Sequence, residues 1–486
     1  MSNKIYVVYD NSLKPCYDVE NIIGDKSFGE VIFKRRTLKD RYFEILNKYE
    51  FIKCTLEINS MSEIKKVFNQ VSEFPSSTKI VHLYSEYIIK DEENFDIIIK
   101  KSQYIKENII INSDAGIIGL MFENTEEYMK FLKSCISMKG TKAPCEEVIH
   151  QTISSNAFFE LNDLSNFLQY ITGGFDARFF NSLNGDEYTV TKSSTNKKKI
   201  KSEYMFYHLL PDEMKYWFVL PYNYIETEEI ASYTMERLHM TDIAIRWVHN
   251  AISTEEFKKL LKKIFYFVDS RKRKSISKDE YIKISNSLYL DKIDERINDL
   301  KEHKLFSCFA NYIKSSTNYD SIEEIVSEYK NLYHAIVEER GMEYFSVIGH
   351  GDLCFSNMLY NKETSTLKLI DTKGALEEDQ IWTNPYYDIA KLSHSICGKY
   401  DFFNSGMYDI KLNSDLKFEL TIDFDNSAYI EIFKEYLKKS GYDYKMIRLL
   451  EASLFLSMLP LHMDFPQKVF GFLLNAINIL QEVKNV

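Results

Sequence analysis

The chain has little cysteine for its length, and what it has is scattered. Seven cysteines in 486 residues (Cys16, Cys54, Cys135, Cys145, Cys308, Cys354, Cys397) form no Cys-x-x-Cys pair. An odd, dispersed set reads as reduced thiols rather than a disulfide framework or a zinc site, which points to a cytoplasmic protein. A basic surplus is also missing: the formal net charge is −11, whereas a nonspecific nucleic-acid binder shows an excess of Lys and Arg. No uncharged apolar run approaches the ~20 residues of a membrane span. The longest, Ala452 to Leu461, is interrupted by Pro460. The opening Lys4-Ile-Tyr-Val-Val-Tyr-Asp10 lacks the layout of a signal peptide. Internal repeats, low-complexity tracts and a Gly-x-Gly-x-x-Gly phosphate loop are all absent from the sequence.

What is present suffices for real cores: 45% of residues are hydrophobic and 27% charged, a soluble composition with length for two or three domains. Up to about residue 145, short apolar runs (Ile5 to Val8, Phe51 to Ile58, Lys79 to Tyr84, Ile109 to Ile111, Ile117 to Phe122) alternate with amphipathic stretches. That alternation predicts an α/β layer with a largely parallel sheet. Asp10 and Asp114 stand at strand ends, where ligand binding and turn chemistry are both possible, and His82 reads as a core histidine. A boundary is predicted across Lys139 to Glu147, where Gly140 and Pro144 interrupt the pattern. From 242 to 345 the chain reads as helical. Phe257, Leu260, Leu261, Ile264, Phe265 and Val268 form one apolar stripe, and the basic run Arg271 to Lys274 reads as a solvated helix end, with contact to an anionic partner as the alternative. Further stripes occupy Ile430 to Leu437, Met446 to Leu456 and Val469 to Leu480.

The most informative stretch is Val347 to Ala375. An apolar lead-in delivers His350-Gly351-Asp352, Asn357 follows five residues after that Asp, and the apolar run Leu367 to Ile370 delivers Asp371. Phosphoryl transfer needs a carboxylate near the attacking hydroxyl and oxygen ligands for magnesium on the phosphates. One or two protein oxygens plus the nucleotide suffice for that ion. Cys354 lies inside this loop and reads as a packing residue.

The stretch resembles the aminoglycoside phosphotransferase and choline kinase family, whose pattern is His-Gly-Asp-x4-Asn followed by an apolar strand ending in Ile-Asp. The resemblance implies a protein-kinase-like, two-lobed α+β fold. It implies transfer of the terminal phosphate of ATP, or another nucleoside triphosphate, to a small-molecule hydroxyl such as that of a sugar or amino alcohol, with Mg2+. Asp352 would be the catalytic base, Asn357 and Asp371 the metal ligands, and His350 a brace for the loop. Lys192, ending Tyr188-Thr-Val-Thr, would hold the α- and β-phosphates. Glu203, placed in the first turn of a helix near Lys201 to Leu210, would pin that lysine, and Met235 and Glu236 would mark where the base binds. Two strands around a loop, Ile171 to Phe175 and Asn184 to Lys192, would cover the phosphates. Asn384-Pro385-x-x-Asp388 matches a helix start below the loop, with Asp388 as a cap. Thr372-Lys373-Gly374 departs from the commoner acidic continuation and resembles kinase-related proteins of bacterial capsule and surface-glycan biosynthesis. Residues 1–145 look like a degenerate nucleotidyltransferase domain, 146–238 like a kinase N-lobe and 239–486 like a helical C-lobe. A non-catalytic nucleotide-binding module and a bifunctional kinase–nucleotidyltransferase are the competing readings.

Overall fold

The computed structural model describes residues 4–142, 151–171, 181–186, 188–338 and 343–485. The chain divides into two compact units, Met1–Phe175 with His249–Ala251, and Asp176–Val248 with Ile252–Val486.

In the first unit Ile5–Asp10 is buried along its whole length, the mark of a strand covered on both faces. Its side chains alternate between two cores. Ile5, Val7 and Tyr9 meet Tyr42, Leu46, Phe95 and Ile99 on one face. Tyr6 and Val8 meet Ile64, Val67, Val71 and Phe131 on the other. The six strands run in the order Ile52–Ile58, Ile5–Asp10, Lys79–Tyr84, Gly116–Phe122, Ile109–Ser113, Gln151–Ser154. Five of the six run in one sense: the first three pair in parallel, as do the last two. Gly116–Phe122 alone is reversed, antiparallel to both neighbours, so the sheet is largely parallel, as expected from sequence, with one strand of opposite sense. The physical reason is local: two residues join Ile109–Ser113 to Gly116–Phe122, too few for a crossover. Gln151–Ser154 pairs with Ile109–Ser113, so the boundary expected at 145 falls inside this unit. His82 is buried between Asp10 (3.2 Å) and Tyr128 (3.0 Å).

The second unit opens with a four-stranded antiparallel sheet in the order Asn181–Gly185, Thr189–Ser194, Ala231–Glu236, Pro221–Glu226. The expected strand at Ile171 to Phe175 lies outside the described residues apart from Ile171, which ends a helix. Helix Lys197–Leu209 packs Ile200 against Ala231 and Tyr233 of the sheet. It begins at Asn196, whose side chain accepts from Lys199 N. Glu203 is therefore mid-helix rather than in the first turn.

The remainder is mainly helical. The predicted stripe on Thr254–Ser270 is buried with Leu353, Phe355, Leu367 and Leu369, so the helix seats the Val347-to-Ala375 segment. Tyr444–Met458 and Pro466–Asn485 bury Leu449, Phe455, Phe472 and Leu480 in a second core. Two small sheets interrupt the helices: Phe345–Ile348 between Arg273–Ser275 and Trp382–Thr383, and Met358–Asn361 between Thr241–Asp242 and Thr366–Leu369. Among the described residues no helix is long and apolar enough to cross a membrane.

Candidate active site

Strand Phe345–Ile348 carries the chain to His350 and Asp352, while the hairpin Met358–Asn361/Thr366–Leu369 returns it to Asp371. Its two ends are stitched together: Ile370 N donates to Asn357 O at 3.0 Å and Lys373 N to His350 O at 3.1 Å. His350 completes the brace. Its Nε2 lies 2.9 Å from the Ile370 carbonyl, which can only accept, so Nε2 carries the proton. Nδ1 then accepts from Asp352 N at 3.1 Å. Burial holds this imidazole below its ordinary pKa despite the nearby carboxylates, so it stays neutral in that role.

Beneath the loop Asp388, fully buried, accepts from His350 N (2.9 Å), Gly351 N (2.8 Å) and an Arg271 guanidinium N–H (3.0 Å). Two sequence expectations change here. Asp388 sits inside helix Tyr387–Ile396 and clamps the loop instead of capping the helix. Arg271, read as a solvated helix end, is buried and also donates to Pro385 O and Tyr442 OH. The reason is that the helix before it ends against the loop's foundation, where its guanidinium satisfies acceptors that water cannot reach.

Gly351 adopts φ +81°, and a Cβ there would lie 2.5 Å from Lys373 Cβ. Gly374, at φ +81°, would collide with Ser202 of the Lys197–Leu209 helix, whose carbonyl accepts from Ala375 N. Both glycines permit close backbone approaches that no other residue allows. Asp371 itself is left-handed, φ +56°, an uncommon and strained conformation for a non-glycine residue.

Lys192, Glu203 and Asp371 meet at one point. Lys192 Nζ is 2.7 Å from Glu203 Oε2 and 2.7 Å from Asp371 Oδ1. Tyr233 OH donates to the same Glu203 oxygen at 3.1 Å. Burial works against the ammonium, but Asp371 and Glu203 outweigh it and keep Lys192 above the ordinary lysine range. A shallow cleft adjoins this point, lined by Glu203, Phe206, Tyr233, Met235 and Asp371 among others. Met235 therefore faces the cleft. Glu236, one residue on, is exposed at the strand end and is not part of that lining.

Asp352 and Asn357 form the neighbouring group. Asn357 Nδ2 donates to Asp352 O (2.9 Å) and Oδ2 (3.1 Å). The other carboxylate oxygen, Oδ1, pairs with Lys391 Nζ at 2.9 Å. Burial raises the Asp352 carboxyl, yet Lys391 prevails and holds it below the usual carboxylate range. It is therefore ionised at neutral pH. Cys354 is buried in the same loop and its thiol is pushed up by burial, which makes it inert.

Sequence reasoning missed Lys391, Tyr233 and the Arg271–Asp388 link. The signal for Lys391 was its place three residues after Asp388, one turn along the helix. Nothing local distinguishes Tyr233 among 34 tyrosines.

No family model matches the chain, and no curated protein does. Among solved structures it is similar to a thermostable mutant of aminoglycoside phosphotransferase APH(4)-Ia in ternary complex with ADP and hygromycin B. The identity is 10% and the TM-score 0.35, over 65% of this chain and 97% of that one. It is also similar to a protein assigned as a fructosamine-3-kinase from Haemophilus somnus 129PT, at 11% identity and TM-score 0.32, over 66% and 96% of the respective chains.

Proposed function

We propose that the second unit is a Mg2+-dependent phosphotransferase that moves the terminal phosphate of ATP, or another nucleoside triphosphate, to a hydroxyl of a small molecule. The observation that carries this reading is the buried Lys192, bridged at 2.7 Å to both Glu203 and Asp371, with the ionised Asp352 on the adjoining loop. A fixed lysine on a strand, a glutamate on the following helix and an aspartate after the loop are the parts that phosphoryl transfer needs around a nucleotide.

The donor set suits magnesium. Asn357 spends its amide N–H groups on Asp352, leaving the amide oxygen as a ligand. Lys192 occupies one oxygen of Asp371 and leaves the other. These are hard oxygen donors, too few for a cage and enough for an ion shared with phosphates. When bound, the ion would neutralise charge on the transferred phosphoryl group.

The chain's own groups do the rest. Lys192 offers its charge to the α- and β-phosphates. Lys391 and Asn357 hold one Asp352 oxygen each, so the carboxylate has one orientation in which to receive the acceptor's proton. In the transfer an oxygen–phosphorus bond forms at the acceptor, the bond from phosphorus to the β,γ-bridging oxygen breaks, and the nucleoside diphosphate leaves. Lys373-Gly374 and the capsule-associated resemblance are the reasons to try sugars and polyols first.

For the first unit we propose a nucleotidyltransferase-like scaffold without catalysis. Asp10 is fully buried and engaged by Ser12 and His82, which leaves it no room for a metal.

Thermal unfolding with ATP, with and without Mg2+, tests the main reading, because a ligand that binds the native state raises its stability. Stabilisation that requires Mg2+ and is lost in Lys192→Met supports it. Asp352→Ala should then keep nucleotide binding and lose ~10²–10⁴-fold in kcat. No response to any nucleotide supports a non-catalytic module instead.

A further inference from the structure

The wall beside Asp352 is built of cations. Lys391 pairs with Asp352 Oδ1 at 2.9 Å and is itself largely buried, its side chain 14% exposed. One helical turn earlier Tyr387 is buried, and its hydroxyl meets Lys292 Nζ at 3.2 Å. Lys292 comes from a separate helix, Lys292–Glu302, and among the described residues it forms no ion pair. Burial raises the Tyr387 phenol, but Lys391 and Lys292 together bring it below its ordinary value. Both lysines thus act on one small region. The Lys373 stem lies over Gly351, the residue before Asp352. Against these cations stands Asp352; Asp388, under the loop, is already engaged by Arg271 and two backbone N–H groups, Asp371 pairs with Lys192, and Asp401 is buried and pushed up to about 7.

A cationic acceptor would have to lie against Lys391 and Lys292 to bring its hydroxyl to Asp352. Among the described residues no carboxylate but Asp352 pairs with either lysine there. An oxyanion meets the opposite situation: two ammonium groups on rigid helices, one of them satisfied only by a neutral phenol oxygen, offer charge-assisted hydrogen bonds. An amino alcohol is thereby disfavoured, and a phosphorylated or carboxylated sugar or polyol is favoured.

We propose that the acceptor carries its own oxyanion, a phosphate or carboxylate, received by Lys391 and Lys292 while its hydroxyl lies against Asp352. This rests on the phosphotransfer reading above. Lys391 then has two tasks, positioning Asp352 and holding the acceptor, and Lys292 only the second.

The test is nucleoside diphosphate release by the full chain with Mg2+ and ATP. The probes are glycerol 3-phosphate, glucose 6-phosphate and gluconate, against glycerol, glucose, choline and ethanolamine. Turnover confined to the anionic probes supports the proposal. Support also requires that Lys292→Met raise the acceptor KM at least tenfold while the nucleotide KM stays within twofold. Lys391→Arg, which keeps charge at the buried position, should retain the anionic preference where Lys391→Met loses activity. Turnover of choline or glycerol at least equal to that of the anionic probes overturns it, as does no response to any anionic probe. A Lys292→Met defect in the nucleotide KM overturns it too, since the cation would then serve the transferred phosphate. Absence of Mg2+-dependent nucleotide binding is a separate result that removes the phosphotransfer reading itself.

Discussion

Replacing Asp388 by Ala should unfold the loop's foundation without touching any proposed ligand. Its carboxylate has no solvent exposure and accepts three hydrogen bonds, from His350 N, Gly351 N and Arg271. Hydrogen bonds to a charged group contribute ~1.5–3 kcal/mol each, though not additively. Arg271 would keep its bonds to Val268 O, Pro385 O and Tyr442 OH but lose its counter-charge. Removing one partner of a buried ion pair costs about 3–5 kcal/mol, and that is the expected loss. Asp388→Asn preserves shape but turns one acceptor into a donor facing an N–H, so it should lose ~2 kcal/mol or more. Replacing both partners, Arg271→Met with Asp388→Leu, should recover part of the loss because no unpaired charge remains. Urea unfolding followed by tryptophan fluorescence is the assay. Trp217, Trp247 and Trp382 are the chain's three tryptophans, and all lie in the second unit, so the signal reports that unit alone. A loss under ~1 kcal/mol for Asp388→Ala, with an unchanged urea slope, would show that the carboxylate does not hold the loop.

Three further outcomes are expected. Gly351→Ala pays for a left-handed backbone and also for the contact with Lys373, whereas Gly441→Ala, at φ +78° with open space around it, pays only the first. The former should therefore lose clearly more than the ~1–2 kcal/mol of the latter, and equal losses in urea unfolding would contradict the close approach. Asp401 is buried and its carboxyl is pushed up to about 7, chiefly by desolvation. The native state then binds more protons than the unfolded chain between the ordinary carboxylate range and 7, so wild-type stability falls as pH rises through that window. Asp401→Asn removes this term, and its stability relative to wild type should grow by ~1–3 kcal/mol from pH 4.5 to 8; a pH-independent difference counts against the shift. Asp352→Asn strips the buried Lys391 of its counter-charge. A loss of ~1–3 kcal/mol is expected in thermal unfolding at neutral pH, and no loss would mean that Lys391 relaxes to water.

Much of this molecule follows from local pattern. Period-two alternation gave Ile5–Asp10 its two faces, and the helical stripe on Thr254–Ser270 told which side would be buried, because periodicity is set by backbone geometry. The spacing from His350 to Asp371 likewise announced a loop, an apolar run and oxygen-bearing side chains at both ends. Other features had no local signature. The register of the first sheet and the reversed sense of Gly116–Phe122 are among them, since Ile109 to Ile111 and Ile117 to Phe122 read as apolar whichever way they pair.

What the sequence determined alone, then, is which segments are strand or helix and which polar residues stand at their ends, since those depend on neighbours a few residues away. Tertiary structure decided which charges meet. Arg271 and Asp388 are 117 residues apart and Lys192 and Asp371 are 179 apart. Lys391 was one of many lysines until the helix carrying it was laid beneath Asp352. Such pairings arise only after burial removes water and leaves each charge the few partners that the fold brings within reach.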